Sequence, residues 1–305
     1  MRAVVFGYHD VGVRCLQVLL AEKLDVALVV THEDNPEESI WFESLADLAA
    51  LHGIPVIKPH DPNVPDVVET IAKIRPDFIF SFYYRLMLKQ EILSLAKYGA
   101  YNMHGSLLPK YRGRVPVNWA IIHDEKETGA TLHKMTEKPD NGDIVEQTAV
   151  PILPNDTAIE VFRKVTCAAE ITLFRALPNL LYGKAKFRKQ DLSLGGYFGA
   201  RRPEDGRINW RDSALSVHNL VRAVAPPYPG AFSDMGGVRL SIFRTFVEKE
   251  PRRFENPSLY CENGKCYADC GGGGVLRLID FEIDGEPADG ERLTSLFGDF
   301  PISLT

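Results

Sequence analysis

A doubly wound α/β domain followed by a smaller β-rich one is what this 305-residue sequence predicts, on three observations. Short apolar runs alternate with segments of helical periodicity over the first 180 or so positions. The texture then breaks into Gly- and Pro-rich stretches with short strand-like pieces. The length, finally, is more than one hydrophobic core usually organises.

Arg2 to Phe6 and Asp25 to Val30 read as strands, and Val11, Cys15, Val18 and Leu19 between them fall at helical spacing. This is a β-α-β opening, which the crossover rule makes parallel and right-handed. Leu45 to Leu51 then reads as a helix, Pro55 to Ile57 as a strand, Val67 to Ile74 as a helix, and Phe78 to Phe82 and Ala100 to Met103 as strands. A helix around Val117 to His123 and strand-like runs at Ala130 to Met135 and Ile144 to Val150 follow. A long helix, capped by Asn155 or Asp156, extends to about Leu181, with Gly183 placed to end it.

Near Gln190 the glycines at 195, 196, 199 and 206, with Pro203, mark a linker or ordered connecting loop. A helix near Ser213 to Val224 precedes strand-like pieces at Val238 to Phe243 and Val275 to Ile279, the pattern of a small barrel. The expected division is a catalytic domain over 1–190, a connecting loop over 191–203 and a terminal domain over 204–305.

Composition narrows the function classes. Apolar residues at 45% and charged residues at 25% are ordinary for a soluble globular chain. No apolar run approaches a bilayer span, and the first residues lead into a strand pattern without a signal-peptide layout, so no membrane insertion and a cytoplasmic location are expected. The net charge is −6, and the segment from Glu204 onward carries 11 Lys+Arg against 16 Asp+Glu. Nucleic-acid binding requires clustered cations to neutralise phosphates, so no nucleic-acid partner is expected. The five cysteines do not suggest a disulfide framework, and the spacing of Cys261, Cys266 and Cys270 fits no common zinc pattern; they read as free thiols in short strands, with no metal site.

Chemistry is concentrated in Asn102-Met103-His104-Gly105-Ser106-Leu107-Leu108-Pro109-Lys110-Tyr111-Arg112-Gly113-Arg114. Side chains two apart on a strand share a face, so Asn102 and His104 can address one substrate atom. An Asn amide can donate to a developing oxyanion, and a His can exchange a proton near neutral pH. Asp140, in Lys138-Pro139-Asp140-Asn141-Gly142-Asp143, can reach the same sheet edge, where it would favour the imidazolium. The plainer reading is a loop histidine and a turn-initiating aspartate. Tyr8, His9 and Asp10 at the first strand's end contact a substrate, or Asp10 merely caps the helix. The G-x-G-x-x-G dinucleotide fingerprint is absent. Ser81 to Leu88 offers an aromatic and apolar strand end suited to a flat heteroaromatic ligand, or to plain core.

The stretch His104 to Gly113 resembles the signature of the folate-dependent formyltransferases, a family that includes methionyl-tRNA formyltransferase, and Asp140 to Asp143 resembles its second motif. Within the family the chain is most similar to the ArnA-type UDP-4-amino-4-deoxy-L-arabinose formyltransferases of lipid A modification and polymyxin resistance. Tyr8-His9-Asp10, Thr31-His32, Asp34-Asn35-Pro36 and Ser81 to Arg85 carry that likeness. The resemblance implies a Rossmann-like fold with an OB-like C-terminal barrel, and Asn102, His104 and Asp140 as catalytic residues. It further implies a 10-formyltetrahydrofolate site lined by Leu86, Met87, Leu88, Arg114, Thr136, Glu137, Lys138, Pro139 and Asp140. The UDP-amino-sugar substrate would meet Tyr8, His9 and Arg201.

Two departures stand out. Sugar formyltransferases tend to carry Phe-Gly-Arg-Arg where this chain reads Phe198-Gly199-Ala200-Arg201-Arg202. ArnA commonly continues into a UDP-glucuronic acid dehydrogenase/decarboxylase, so that partner activity is expected to be fused to this segment or carried by a separate protein. The rival readings are methionyl-tRNA formylation, transfer to another amino-sugar nucleotide, folate deformylation by water, and a non-catalytic nucleotide-sensing module.

Overall fold

The computed structural model describes residues 1–36, 38–298 and 301–304. Its residues group into two compact units, one of 1–116, 127–151 and 162–199, the other of 117–126, 152–161 and 200–304.

The first unit is built on β1 (Arg2–Gly7), α1 (His9–Ala21), β2 (Asp25–Val30), α2 (Leu45–Leu51), β3 (Val56–Ile57), α3 (Pro65–Ile74), β4 (Phe78–Phe82), α4 (Gln90–Leu93) and β5 (Ala100–His104). A two-residue strand β6 (Arg112–Gly113) precedes β7 (Glu127–Lys134) and β8 (Ile144–Pro151); α5 (Pro116–Ile122) groups with the second unit from Val117 on, and the long α6 (Ala158–Leu181) with the first from Phe162 on. The sheet order is β3-β2-β1-β4-β5-β7-β8, parallel through β5 and antiparallel at β7 and β8. The central strands β1 and β4 are buried on both faces, which is why Phe78, Ile79, Phe80 and Phe82 form a nearly unbroken apolar run. Strand order reverses between β1 and β4, so the crevice at the carboxyl ends of β1, β4 and β5 is where an open sheet of this kind collects functional groups.

Two local expectations are corrected. The long helix begins at Ala158 rather than at Asn155 or Asp156, and Asp156 instead accepts a hydrogen bond from the Leu153 backbone N–H at 2.7 Å. Glu160 accepts from both the backbone N–H and the hydroxyl of Thr157 at 2.7 and 2.8 Å, so the helix mouth is closed at Thr157, beyond both candidate caps. Asp10 likewise does not cap α1; its carboxylate accepts the Glu43 N–H at 2.8 Å. The Gly-rich stretch after Gln190 is ordered, and β9 (Tyr197–Phe198) pairs in parallel with β6.

The second unit carries α7 (Ala214–Val224), capped by Ser213, and the antiparallel strands β10 (Ala231–Met235), β11 (Val238–Glu248), β12 (Ser258–Glu262), β13 (Lys265–Asp269), β14 (Val275–Ile283) and β15 (Glu286–Pro287). A last helix α8 (Gly290–Phe297) and β16 (Ile302–Ser303) follow. The order β10-β11-β14-β13-β12-β16 makes a sheet curled as a half-barrel, its inner face filled by Val217 and Val221 of α7 with Leu240, Ile242, Leu276 and Leu278. Among the described residues no helix is long and apolar enough to cross a membrane.

Candidate active site

Asn102 and His104 lie on one face of β5, while Met103 between them is buried on the other. Antiparallel pairing sets His133 of β7 directly opposite Asn102 and Thr131 opposite His104. His133 therefore joins the same face, and its Nε2 is 3.2 Å from the Asn102 amide nitrogen. The loop after β7 then turns back, held where Lys134 N–H donates to the Asp143 carbonyl and Met135 N–H to the Ala100 carbonyl. Asp140 at its tip has a left-handed backbone, φ +56°, which Asp tolerates better than most residues. Gly142 is required by a close approach: a Cβ there would fall 1.8 Å from the Lys134 carbonyl oxygen.

This folding brings the Asp140 carboxylate to 3.6 Å from His104 Nδ1 and 3.4 Å from His133 Nε2. Its second oxygen accepts the Gly113 backbone N–H at 2.8 Å. Burial would raise this carboxyl, but the His104 and His133 imidazoles and the Gly113 N–H outweigh it and hold Asp140 well below the usual carboxylate range. The residue is thus an anion wherever the protein is folded at ordinary pH.

His104 is oriented from its other ring nitrogen. Nε2 lies 2.8 Å from the Tyr111 carbonyl, which can only accept, so Nε2 carries a proton and Nδ1 is the atom turned toward Asp140. By the same argument His133 Nδ1, 3.0 Å from the Lys134 carbonyl, holds a proton, leaving Nε2 toward Asn102 and Asp140. The loop that positions Tyr111 is pinned by Ser106 donating to the Lys110 carbonyl, Thr131 donating to the Ser106 carbonyl, and Gln147 donating to the Leu108 carbonyl. Gly105 lies against the Tyr83 ring: a Cβ there would fall 1.9 Å from the Tyr83 hydroxyl and would displace it.

Arg114 donates to the Arg85 carbonyl at 3.3 Å, linking the Gly113–Asp140 contact to the segment with Leu86 and Met87. Leu86 and Met87 are exposed apolar side chains, whereas Leu88 is buried in the core with Ile79 and Ile92. Thr136 donates to the Lys138 carbonyl; Glu137 and Lys138 are exposed, and Pro139 is half-buried.

A second cluster occupies the carboxyl ends of β1 and β2. The Tyr8 hydroxyl donates to Asp34 at 2.6 Å, and the Arg85 guanidinium, paired with Glu38, lies 4.7 Å from the Tyr8 ring centroid. His9 is stacked on Phe42 at 3.9 Å between centroids and edged by Trp41 and Phe162. His32 stacks on Tyr84 and accepts the Arg85 backbone N–H. Burial, with Arg85 nearby, drives His9 down to about 3 and His32 to about 4, so both are neutral. Arg201, in the second unit, lies over the Trp119 ring and donates to the Asp205 carbonyl.

Asn102, His104 and Asp140 are therefore brought together. Sequence reasoning missed His133, Gln190 and the aromatic wall of Trp41, Phe42 and Phe162. Gln190 donates to the Asp140 and Gly142 carbonyls, clamping the loop tip. The signal for His133 was its alternation with the buried Leu132, legible only once β7 is paired with β5.

Comparison with known proteins yields two family models. Residues 1–177 match "Formyl transferase" and residues 201–295 match "Formyl transferase, C-terminal domain". Among solved structures, the N-formyltransferase from Helicobacter canadensis in complex with folinic acid and dTDP-3-aminofucose is 20% identical with a TM-score of 0.70, covering 90% of this chain and 98% of that one. WlaRD, a sugar 3N-formyl transferase crystallised with dTDP and 5-N-formyl-THF, is 20% identical with a TM-score of 0.71, covering 91% and 97%. HypX from Aquifex aeolicus in complex with tetrahydrofolic acid is also 20% identical, with a TM-score of 0.62, and this chain spans 48% of it. At these identities the likeness establishes the fold.

Proposed function

This chain belongs to the formyl transferase family, and from that premise we propose that it moves the formyl group of 10-formyltetrahydrofolate onto the 4-amino group of UDP-4-amino-4-deoxy-L-arabinose. The step serves lipid A modification and polymyxin resistance, in the cytoplasm. Residues 1–190 supply the chemistry, 191–203 connect, and 204–305 form the appended domain. A UDP-glucuronic acid dehydrogenase/decarboxylase, fused or separate, prepares the sugar nucleotide. The observation that carries this reading is the meeting of an amide, an imidazole and an ionised carboxylate at one strand end. The folinic acid and dTDP-3-aminofucose bound by the Helicobacter canadensis enzyme, and the dTDP and 5-N-formyl-THF present with WlaRD, support a folate donor and a nucleotide-linked amino-sugar acceptor.

The amine nitrogen attacks the formyl carbon, and the carbonyl oxygen gathers negative charge. The Asn102 amide has two hydrogens; one faces His133, and the other donates to that oxygen. His104 Nδ1 takes the proton the amine loses, since Nε2–H is occupied by the Tyr111 carbonyl. The imidazolium so formed faces Asp140, which stabilises it and lets Nδ1 return the proton to the departing folate nitrogen. The exposed Leu86 and Met87 and the loop of Thr136 to Asp140 fit a flat folate ring with backbone edges to read it, and Arg114 lies beside them. Tyr8 and His9 line the sugar-nucleotide side; Arg201 is assigned to the nucleotide.

The test is a formyl-transfer assay offering UDP-4-amino-4-deoxy-L-arabinose, other amino-sugar nucleotides and methionyl-tRNA in parallel. The expected result is a kcat/KM for the arabinose nucleotide well above every other acceptor. A preference for methionyl-tRNA, or folate deformylation without any acceptor, overturns the assignment.

A further inference from the structure

β12 and β13 form a hairpin whose two-residue turn, Asn263-Gly264, has φ values of +51° and +73°. Positive φ at both positions is the type I′ turn that matches strand twist. Glu262 and Lys265 flank the turn, and the next pair outward is Cys261 with Cys266. In a two-residue hairpin the flanking pair exchanges the ladder hydrogen bonds, so the pair beyond it is the close one, with Cα atoms about 4.5 Å apart. That spacing falls within the range a disulfide spans. The two sulfurs are 2.7 Å apart, a short step from the bond length of about 2.05 Å. Above them sits the start of α8: a Cβ on Gly290 would fall 3.3 Å from the Cys266 sulfur and 3.4 Å from that of Cys261. A glycine at this position leaves the sulfurs uncrowded by a side chain.

From this register we infer that Cys261 and Cys266 are a dithiol site that closes to an intramolecular disulfide across the hairpin when the protein meets a small-molecule disulfide. Cys261, half-buried where Cys266 is 3% exposed, is the thiol that reacts first. Having lost its proton to solvent, its sulfur attacks one sulfur of R–S–S–R, forming a mixed disulfide and releasing one RS⁻. The Cys266 thiolate then attacks the Cys261 sulfur and releases the second RS⁻. Two electrons pass to the small disulfide, and the two thiol protons end on the two RS⁻ groups. Burial pushes both thiols up, with Asp289 nearby acting in the same direction, so closure accelerates as pH rises.

The experiment uses the full chain carrying Cys167→Ser, which removes the one exposed thiol, treated in its native state with oxidised glutathione at mildly alkaline pH, then denatured, alkylated and mapped by mass spectrometry. The expected map shows Cys261 linked to Cys266, the protein lighter by two hydrogens, and alkylation confined to Cys15 and Cys270. Adding Cys266→Ser is expected to trap a stable glutathione adduct on Cys261. Persistent alkylation of both Cys261 and Cys266 after treatment of the native protein, or a linkage involving Cys270 instead, overturns the inference.

Discussion

Two pairs of histidines stand at the carboxyl ends of the same sheet and are put to opposite uses. His104 and His133 face Asp140 at 3.6 and 3.4 Å, while His9 and His32 are stacked on Phe42 and Tyr84 with the Arg85 cation nearby. A buried imidazole facing an ionised carboxylate can take a proton without leaving a bare charge in low dielectric; one packed among aromatic rings, with an arginine nearby, carries the full desolvation cost of charging. The residue type alone therefore says little. A neighbouring carboxylate is not enough on its own, since His9 Nδ1 lies 3.8 Å from Asp10; the aromatic burial of the ring, with Arg85 adding to it, is what keeps His9 neutral and makes it part of a wall.

The largest effects test the first pair. Asp140→Asn removes the anion that makes imidazolium formation tolerable, and kcat is expected to fall by about a hundredfold to ten-thousandfold. Asn102→Ala and His104→Ala are each expected to lose about a hundredfold to a thousandfold in kcat. Folate binding, followed by fluorescence titration, should survive in Asn102→Ala and His104→Ala. Near-normal turnover in any of the three variants would dissolve the distinction between the two pairs. His133→Ala sharpens it further. His133 touches Asn102 and Asp140 but is not assigned to a reacting atom, so its loss is expected to lower kcat by about tenfold to a hundredfold through misplacement. His133→Gln, whose amide oxygen can still accept from Asn102, should recover part of that loss, a rescue that a merely space-filling role would not give.

Much of the cluster around the first pair was legible because its chemistry is local. Asn102 and His104 share a strand face by period two, and Asp140 lies in a turn with Asn141 and Gly142 that had to fold somewhere near a strand end. His133 was not legible, because the identity of its cross-strand neighbour depends on β7 adding antiparallel to β5, which periodicity does not specify. The sheet itself could be read in order, since β2, β4 and α2 follow directly from apolar spacing. The helix mouth at Thr157 could not, because Asp156 and Thr157 are both good capping residues and only the Glu160 contact selects between their registers. The cysteine pair escaped for a related reason: a four-residue gap means nothing until Asn263-Gly264 is recognised as the turn that sets Cys261 against Cys266.

The smaller effects probe the second pair. His9 adopts φ +66°, so His9→Asn is the substitution that keeps the backbone while removing the ring. If His9 is a wall of the sugar-nucleotide site, KM for that substrate should rise a few-fold, in keeping with about 1 kcal/mol for a lost aromatic contact, with kcat much less affected. The same variant has a pH signature. The folded state holds His9 at about 3 and His32 at about 4, whereas the unfolded chain protonates both near 6.5. Below 6.5 the unfolded state binds more protons, so stability falls as pH drops from 6.5 toward 4, and above 6.5 these two groups contribute no slope. Asp140 has the other signature: its stabilisation is fully present above the ordinary aspartate range and is lost only on further acidification. Denaturant midpoints measured between pH 7 and about 4.5, still above that aspartate range, should accordingly decline in the wild type and decline less in His9→Asn, while Asp140→Asn shifts the whole curve down without flattening it. A wild-type midpoint constant over that interval would mean that His9 and His32 are proton-accessible in the folded protein, and the contrast between the two pairs would fail at its weaker end.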